Sequence, residues 1–320
     1  MPSGSISNAM ARPRNPLREG SVQILVNPLA GGRRSGRWIR DIRDVATAAG
    51  IEVHVYSAQS SKEMESVAAE KIGGGSKVFL VMGGDGTLQT LVNVPGTEQV
   101  TIGILPSGSG NDFAAALGLP PEPVQALRAL LEGCVKRVDL ARVRTADAHE
   151  RLYCGGGGLG LDAEAARHAS QTYAGLPGRS RYVISALHAV ATFSAMTVRA
   201  EIPGQAAIEK KVLLAAALNT PSYGAGLRLA DEARIDDGML ELVFVEELGL
   251  GDICGLVLDW TRHRALRTGR ISRQQVARVR LSSDRPCLFH GDGELIGPAP
   301  VEIEVAPGAI QVLAPEEHSS

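Results

Sequence analysis

Cysteine is scarce in this chain of 320 residues: four are present, Cys134, Cys154, Cys254 and Cys287, widely scattered and with no C-x-x-C pair among them. Such spacing supports neither a disulfide framework nor a zinc site, and it fits a reducing cytoplasm. An excess of charge is missing too. The 33 Lys and Arg stand against 35 Asp and Glu, a formal net charge of −2, which argues against bulk nucleic-acid binding. Long apolar runs are absent, and the best membrane candidate, Arg181 to Val198, is interrupted by His188 and other polar residues, so no transmembrane helix is predicted. Residues 1–20 are rich in Ser, Pro, Gly and Arg and lack the apolar core of a secretion signal. They read as a disordered leader in which Ser7-Asn-Ala-Met10 resembles an expression scar, and residues 316–320 read as a short tail. No G-x-x-x-x-G-K-[ST] occurs, and the first strand–helix turn carries no G-x-G-x-x-G. Ordinary P-loop and dinucleotide-fold readings therefore lose support.

What is present is a set of glycine-rich turns. Val81-Met-Gly-Gly-Asp-Gly-Thr87 follows an apolar strand and precedes a helix-compatible stretch. Glycines let the backbone turn sharply and bring its N–H groups close to an anion, and the helix adds unpaired N–H groups and the positive end of its dipole. A lone carboxylate, Asp85, beside a polyphosphate is repulsive unless a cation such as Mg2+ lies between them. Pro106-Ser-Gly-Ser-Gly-Asn-Asp112 repeats the design twenty-seven residues later. Its plainer reading is a helix cap by Ser109 or Asn111 with Asp112 in the first turn. Asn27-Pro-Leu-Ala-Gly-Gly32 forms a third such turn, with Arg33, Arg34 and Arg37 beyond it to balance phosphate charge.

Residues 21–138 alternate short apolar runs with helix-like segments, the pattern of a parallel sheet covered by helices. Strands are expected at Val22–Asn27, Glu52–Ser57, Lys77–Met82 and Val100–Leu105, with helices near Gly36–Ala49, Lys62–Lys71, Leu88–Val92 and Asp112–Leu117. In such sheets ligands bind beyond the carboxyl ends of the strands. Residues 139–315 read as a mainly antiparallel, β-sandwich-like domain with strands at Lys211–Asn219, Met239–Glu246, Gln275–Leu281, Val301–Val305 and Ala309–Leu313. Helix-like inserts interrupt it at Arg179–Phe193 and Leu250–Thr268. Four of its features each admit two readings. Gly155-Gly-Gly-Gly158 permits close approach of another segment or is a flexible turn. Asp236-Asp-Gly238 and His290-Gly-Asp-Gly-Glu294 are hairpin turns or part of a site, Glu294 being able to accept a proton from a substrate hydroxyl. The arginines 262, 264, 267, 270 and 273 complement a helix C-terminus or touch an anionic membrane.

Taken in order, Asn27-Pro-x-Ala-Gly, Gly83-Gly-Asp-Gly-Thr87, Gly108-Ser-Gly-Asn-Asp-Phe-Ala114, Asp236-Asp-Gly238 and Asp292-Gly-Glu294 resemble the diacylglycerol kinase catalytic family in its bacterial lipid-kinase branch. The resemblance spans residues 21–314. It implies ATP-dependent phosphorylation of a lipid hydroxyl, with a diacylglycerol-like acceptor, in a cleft between the α/β domain and the β-rich domain. By that similarity, nucleotide contacts fall on Asn27, Pro28, Leu29, Ala30 and Gly31, on Ser57, on Gly83, Gly84, Asp85, Gly86, Thr87, Leu88, Gln89 and Thr90, and on Ser109 and Asn111. Asp85, Asp112 and Asp139 match acidic positions tied to an active-site Mg2+ network, and Glu294 matches the general base. A structural Mg2+ site maps to Asp237, with backbone oxygens from Arg234 and Met239. The implied partner is a lipid at a membrane surface, reached by a cytoplasmic protein in peripheral contact with the inner membrane; a homodimer is left open and nucleic acid is not expected. Two departures stand out: Tyr153–Asp162 is richer in glycine than the family's Asn-containing version, and Leu29-Ala30 replaces a turn that often has Ser before its Gly. Competing readings are a kinase for a soluble substrate such as NAD, which shares GGDGT, and a non-catalytic lipid- or nucleotide-binding regulator.

Overall fold

The computed structural model describes residues 15–161, 193–224, 226–262, 264 and 268–316. The first unit is a parallel α/β layer. Its strands β1 (Val22–Val26), β2 (Val53–Ser57), β3 (Val78–Gly83) and β4 (Thr101–Pro106) lie in the order β2-β1-β3-β4. All five residues of β1 and all six of β3 and of β4 are buried, as befits strands covered on both faces. The helices are α1 (Pro28–Gly31, a single turn), α2 (Ser35–Ala48), α3 (Ser61–Gly73), α4 (Asp85–Val92), α5 (Asp112–Ala116) and α6 (Pro123–Leu131). Helix α2 sets Trp38, Ile42, Val45 and Ala46 against the core at helical spacing. Helix α3 begins where Ser60 Oγ accepts from Glu63 N at 3.2 Å and Glu63 Oε2 accepts from Gln59 N at 2.7 Å, a reciprocal cap. Helix α4 is the central one, with every residue from Thr87 to Val92 buried.

The remaining strands are β5 (Cys134–Arg144), β6 (Glu150–Tyr153), β7 (Gly156–Gly160), β8 (Met196–Glu201), β9 (Ile208–Leu218), β10 (Leu240–Glu246), β11 (Ile271–Val276), β12 (Arg278–Ser283), β13 (Leu288–Gly291), β14 (Glu294–Pro298) and β15 (Val301–Ala314), with helix α7 (Leu250–Thr261) after β10. Their pairings with one another are antiparallel. Strand β15 joins the units: it pairs antiparallel with β5 and β12, and its end pairs parallel with β4 through Gln311 and Val312. The expected division at 138/139 therefore falls inside the continuous strand β5, and one sheet runs through both units.

Several sequence expectations are adjusted. Of the twenty leader residues, Asn15 to Glu19 are folded: Leu17 is fully buried in the first core and Asn15 Nδ2 donates to Leu130 O at 2.7 Å. Residues 1–14, with the proposed scar, and the tail residues 317–320 lie outside the described residues, as does most of the Arg179–Phe193 segment. The strand expected at Gln275–Leu281 is two strands with different partners, β11 on β10 and β12 on β8 and β15. The two expected at Val301–Val305 and Ala309–Leu313 are one, irregular between Ala306 and Ile310. Among the described residues no helix is long and apolar enough to cross a membrane.

Candidate active site

The carboxyl ends of β1, β3 and β4 bring the three glycine turns together, and side chains then tie them. Asn27 Nδ2 donates to Thr87 Oγ1 at 3.1 Å, joining the first turn to the second. The second and third touch backbone to backbone, since a Cβ on Gly108 would lie 2.6 Å from Gly84 Cα. Asn111, held at φ 61°, clamps the third turn by accepting from Gly108 N and donating to Gly108 O, both at 3.0 Å. Asp85 closes the set: its carboxylate accepts from Asp112 N at 3.1 Å and Phe113 N at 3.0 Å, capping α5. Burial raises the Asp85 carboxyl above its ordinary value, against the lowering effect of those amides.

These turns form one wall of a cleft of about 1240 Å3, and the β-rich unit forms the other. The first wall presents Asn27, Leu29, Ala30, Gly84–Thr87, Thr90, Ser109 and Asp112, together with Arg34 and Trp38. The second presents the apolar Leu161, Leu214, Tyr223, Leu227 and Leu229 and, from the β13–β14 turn, His290, Asp292, Gly293 and Glu294. Asp112 Oδ1 bridges the two by accepting from Gly226 N at 3.1 Å. Glu294 meets the first wall at Gly86, where an added Cβ would lie 3.6 Å from Glu294 Oε1 and 3.3 Å from Asp292 O. The β13–β14 turn thus sits against the first turn of α4 at Gly86.

Asp292 anchors that turn from behind. At φ 49°, its carboxylate accepts from Cys154 N (2.5 Å), Gly155 N (2.8 Å) and Gly156 N (3.2 Å). Enclosure of the carboxylate, and then the nearby charge of Asp85, push its pKa up to about 7, although the three amides pull the other way. Asp292 opens the DGE motif, yet the sequence does not single it out as a site residue. Its one signal is its place before Gly293, which an ordinary turn explains equally well. The run Gly155–Gly158, whose first two amides it grips, resolves toward close approach: Gly156–Gly158 lie in the buried strand β7, and a Cβ on Gly157 would lie 2.5 Å from the Phe289 ring.

Other expected residues lie elsewhere. Leu88 and Gln89 are buried within α4, and both polar side-chain atoms of Gln89 lack a partner. Ser57 ends β2, while its successors Ala58 to Ser61 line the cleft. Asn111 acts through Gly108, and Pro28 opens α1. Gly83 packs against the Thr87 side chain, and Gly31 ends α1. Asp139 is not among the residues that line the cleft: its oxygens accept from Gly238 N and Gly308 N, each at 2.7 Å, bracing β5 against the 235–239 turn and β15. In that turn Asp237 is exposed and accepts from Met239 N at 3.0 Å, and Arg234 pairs with Asp236. Among the described residues no group of three or more His, Cys, Asp or Glu side chains is arranged to hold a metal. Of the arginine group, Arg262, Arg264 and Arg270 are exposed and Arg273 donates to Leu229 O at 2.5 Å. Arg267 lies outside the described residues.

Two family models match in sequence. Residues 21–143 match the diacylglycerol kinase catalytic domain, and residues 157–314 match the YegS C-terminal NAD kinase beta sandwich-like domain. The chain belongs to the diacylglycerol kinase family of lipid kinases. Its similarity to individual members is distant but spans nearly their whole length. It is 26% identical to a diacylglycerol kinase of Mycobacterium tuberculosis over 298 residues, 92% of this chain and 96% of that one. It is 27% identical to a Stenotrophomonas maltophilia protein named "Probable lipid kinase YegS-like", covering 83% of this chain and 88% of the relative. A crystal structure of a diacylglycerol kinase from Bacillus anthracis has the same fold, with a TM-score of 0.67 at 18% identity over 92% of this chain and 96% of that one. The junction of the two matches, between residues 143 and 157, contains β6 and the Cys154, Gly155 and Gly156 amides that Asp292 grips.

Proposed function

We propose that the protein transfers the γ-phosphoryl group of ATP to the hydroxyl of a diacylglycerol-like lipid, with Glu294 as general base. The observation that carries this reading is the position of Glu294, on the apolar wall of the cleft yet against Gly86 of the glycine turns. A hydroxyl on an apolar body held by Leu161, Leu214, Tyr223, Leu227 and Leu229 would meet a phosphate held by the opposite amides where that carboxylate stands. The apolar wall favours a lipid over a soluble acceptor such as NAD.

Charge supports a cation in the same place. Asp85, Asp112, Asp292, Glu294 and Glu122 line the cleft, and Arg34 is the one lysine or arginine among the described lining residues. A polyphosphate entering this surface needs a counter-charge, and carboxylate oxygens of the kind that line it are the hard donors Mg2+ takes. When bound, Mg2+ would offset charge on the transferring group. The chain's own contributions are separate: the N–H groups of the glycine turns orient phosphate oxygens, the Asp85 and Asn27 contacts fix those turns, and Glu294 takes the proton from the attacking oxygen. Incubation of the protein with radiolabelled ATP, Mg2+ and a mixed lipid extract, with NAD in parallel, should label a glycerolipid. Label in NADP and none in lipid, or none in either, would overturn the reading.

A further inference from the structure

We infer that His290 recognises the acceptor through its Nε2–H, which donates to an oxygen beside the reacting hydroxyl, the carbonyl of a flanking ester. This rests on the reading of the cleft as a lipid-kinase site.

Strand alternation sets the direction of the ring. Phe289 is fully buried in the core of the β-rich unit, so His290, its neighbour on β13, points to the opposite face and lines the cleft. Across the sheet His290 faces Gly158 on β7, which has no side chain to shield that flank, and Leu295 on β14. Four residues later the same hairpin carries Glu294, so ring and proposed base belong to one rigid turn fixed by Asp292.

The chemistry follows from the other ring nitrogen. His290 is 7% exposed, and its Nδ1 is completely covered without a hydrogen-bond partner. A buried N–H without an acceptor is among the rarest features of folded proteins, whereas a buried lone pair without a donor is tolerated more often. The proton is therefore placed on Nε2, the nitrogen that the side chain can offer to an occupant of the cleft. With its proton there, the ring presents a donor on its accessible edge. It suits a carbonyl oxygen and discriminates against an acceptor that presents only ether oxygens or an ammonium at that position.

The test compares one 1,2-diacylglycerol with the 1,2-dialkyl ether of matched chain length, both in mixed micelles with ATP and Mg2+. The wild type should favour the diester in kcat/KM by about tenfold. His290→Leu should bring that ratio close to one while leaving the KM for ATP unchanged, and His290→Asn, which keeps a donor, should restore part of the preference. Both lipids are measured on the same sample, so a reduced folded fraction cancels from the ratio. A His290→Leu ratio equal to the wild-type ratio, or a wild type indifferent to the two lipids, overturns the role of His290 and leaves the kinase reading standing. Failure of the wild type to label either lipid overturns that reading and the inference with it.

Discussion

Under the proposed function, the cleft offers the substrates backbone on one side and side chains on the other. The wall from β1, β3 and β4 is built around glycine-rich turns, and three of its polar side chains, Asn27, Asp85 and Asn111, are spent on holding those turns. The wall from the β-rich unit presents leucines, a tyrosine, His290 and Glu294. Phosphate groups are common to all ATP-dependent transfers and can be met by a fixed array of N–H groups. An acceptor must be distinguished from other lipids and deprotonated, which needs side-chain shape and basicity. The comparison predicts that side-chain changes on the second wall act on acceptor chemistry, and backbone changes on the first act on the nucleotide.

The largest effect should come from Glu294→Gln, which keeps the shape of the side chain and removes its basicity. We expect a fall of about 10²–10⁴-fold in kcat, with ATP affinity measured by calorimetry close to that of the wild type. Full turnover in this variant would remove Glu294 from the mechanism.

A matched pair of glycine substitutions separates the walls. In Gly108→Ala the new methyl meets Gly84 Cα at 2.6 Å, a backbone atom that cannot swing aside. The two loops must part, at about 1–3 kcal/mol in stability and with a several-fold rise in the KM for ATP. In Gly156→Ala the methyl meets Leu218 Cδ2 at 2.5 Å and the Tyr223 ring at 2.7 Å. Tyr223 is partly exposed and lines the cleft, so it can move. Here the KM for the lipid should change more than that for ATP. Steady-state kinetics with each substrate varied in turn would reveal an exchange of these effects, which would break the comparison.

How much of this was legible differs between the walls for the same reason. Strands β1, β3 and β4 are largely apolar runs ending in small-residue turns and β2 is a short alternating one, so β1 to β4 could be placed within a residue or two from pattern alone. The second unit is held by contacts between residues far apart in sequence. Nothing near Ala277 announces that β11 and β12 take different partners, and the grip of Asp292 on Cys154, Gly155 and Gly156 spans well over a hundred residues. Asp139 shows the limit of motif matching: the resemblance ties it to a Mg2+ network, while its amide partners at Gly238 and Gly308 depend on strand packing that spacing does not encode.

Asp292 supplies a smaller test, in the pH dependence of stability. Its carboxyl is raised from an ordinary 3.8 to about 7 in the folded protein, so the folded form holds the proton more tightly than the unfolded form. The contribution is complete below the unfolded value and is lost as pH rises through the folded one. In metal-free buffer the melting temperature should therefore fall between about pH 4 and pH 7, by roughly 2–4 °C for each kcal/mol lost. Asp292→Asn should flatten that part of the profile. A wild-type curve that rises across the same interval would show that another group governs it.

The smallest effect is expected at Leu29, and it bears on the backbone principle most directly. Leu29 is 78% exposed at the edge of the cleft, and its N–H donates to Asn27 Oδ1 at 3.0 Å. If the first wall works through amides alone, the leucine side chain contributes neither packing nor recognition, and only its peptide group matters. Leu29→Ser should then change stability by less than about 0.5 kcal/mol and leave the KM for ATP within about twofold. A large rise in that KM would mean that an exposed apolar side chain covers the nucleotide, and the first wall would have to be described, like the second, by its side chains.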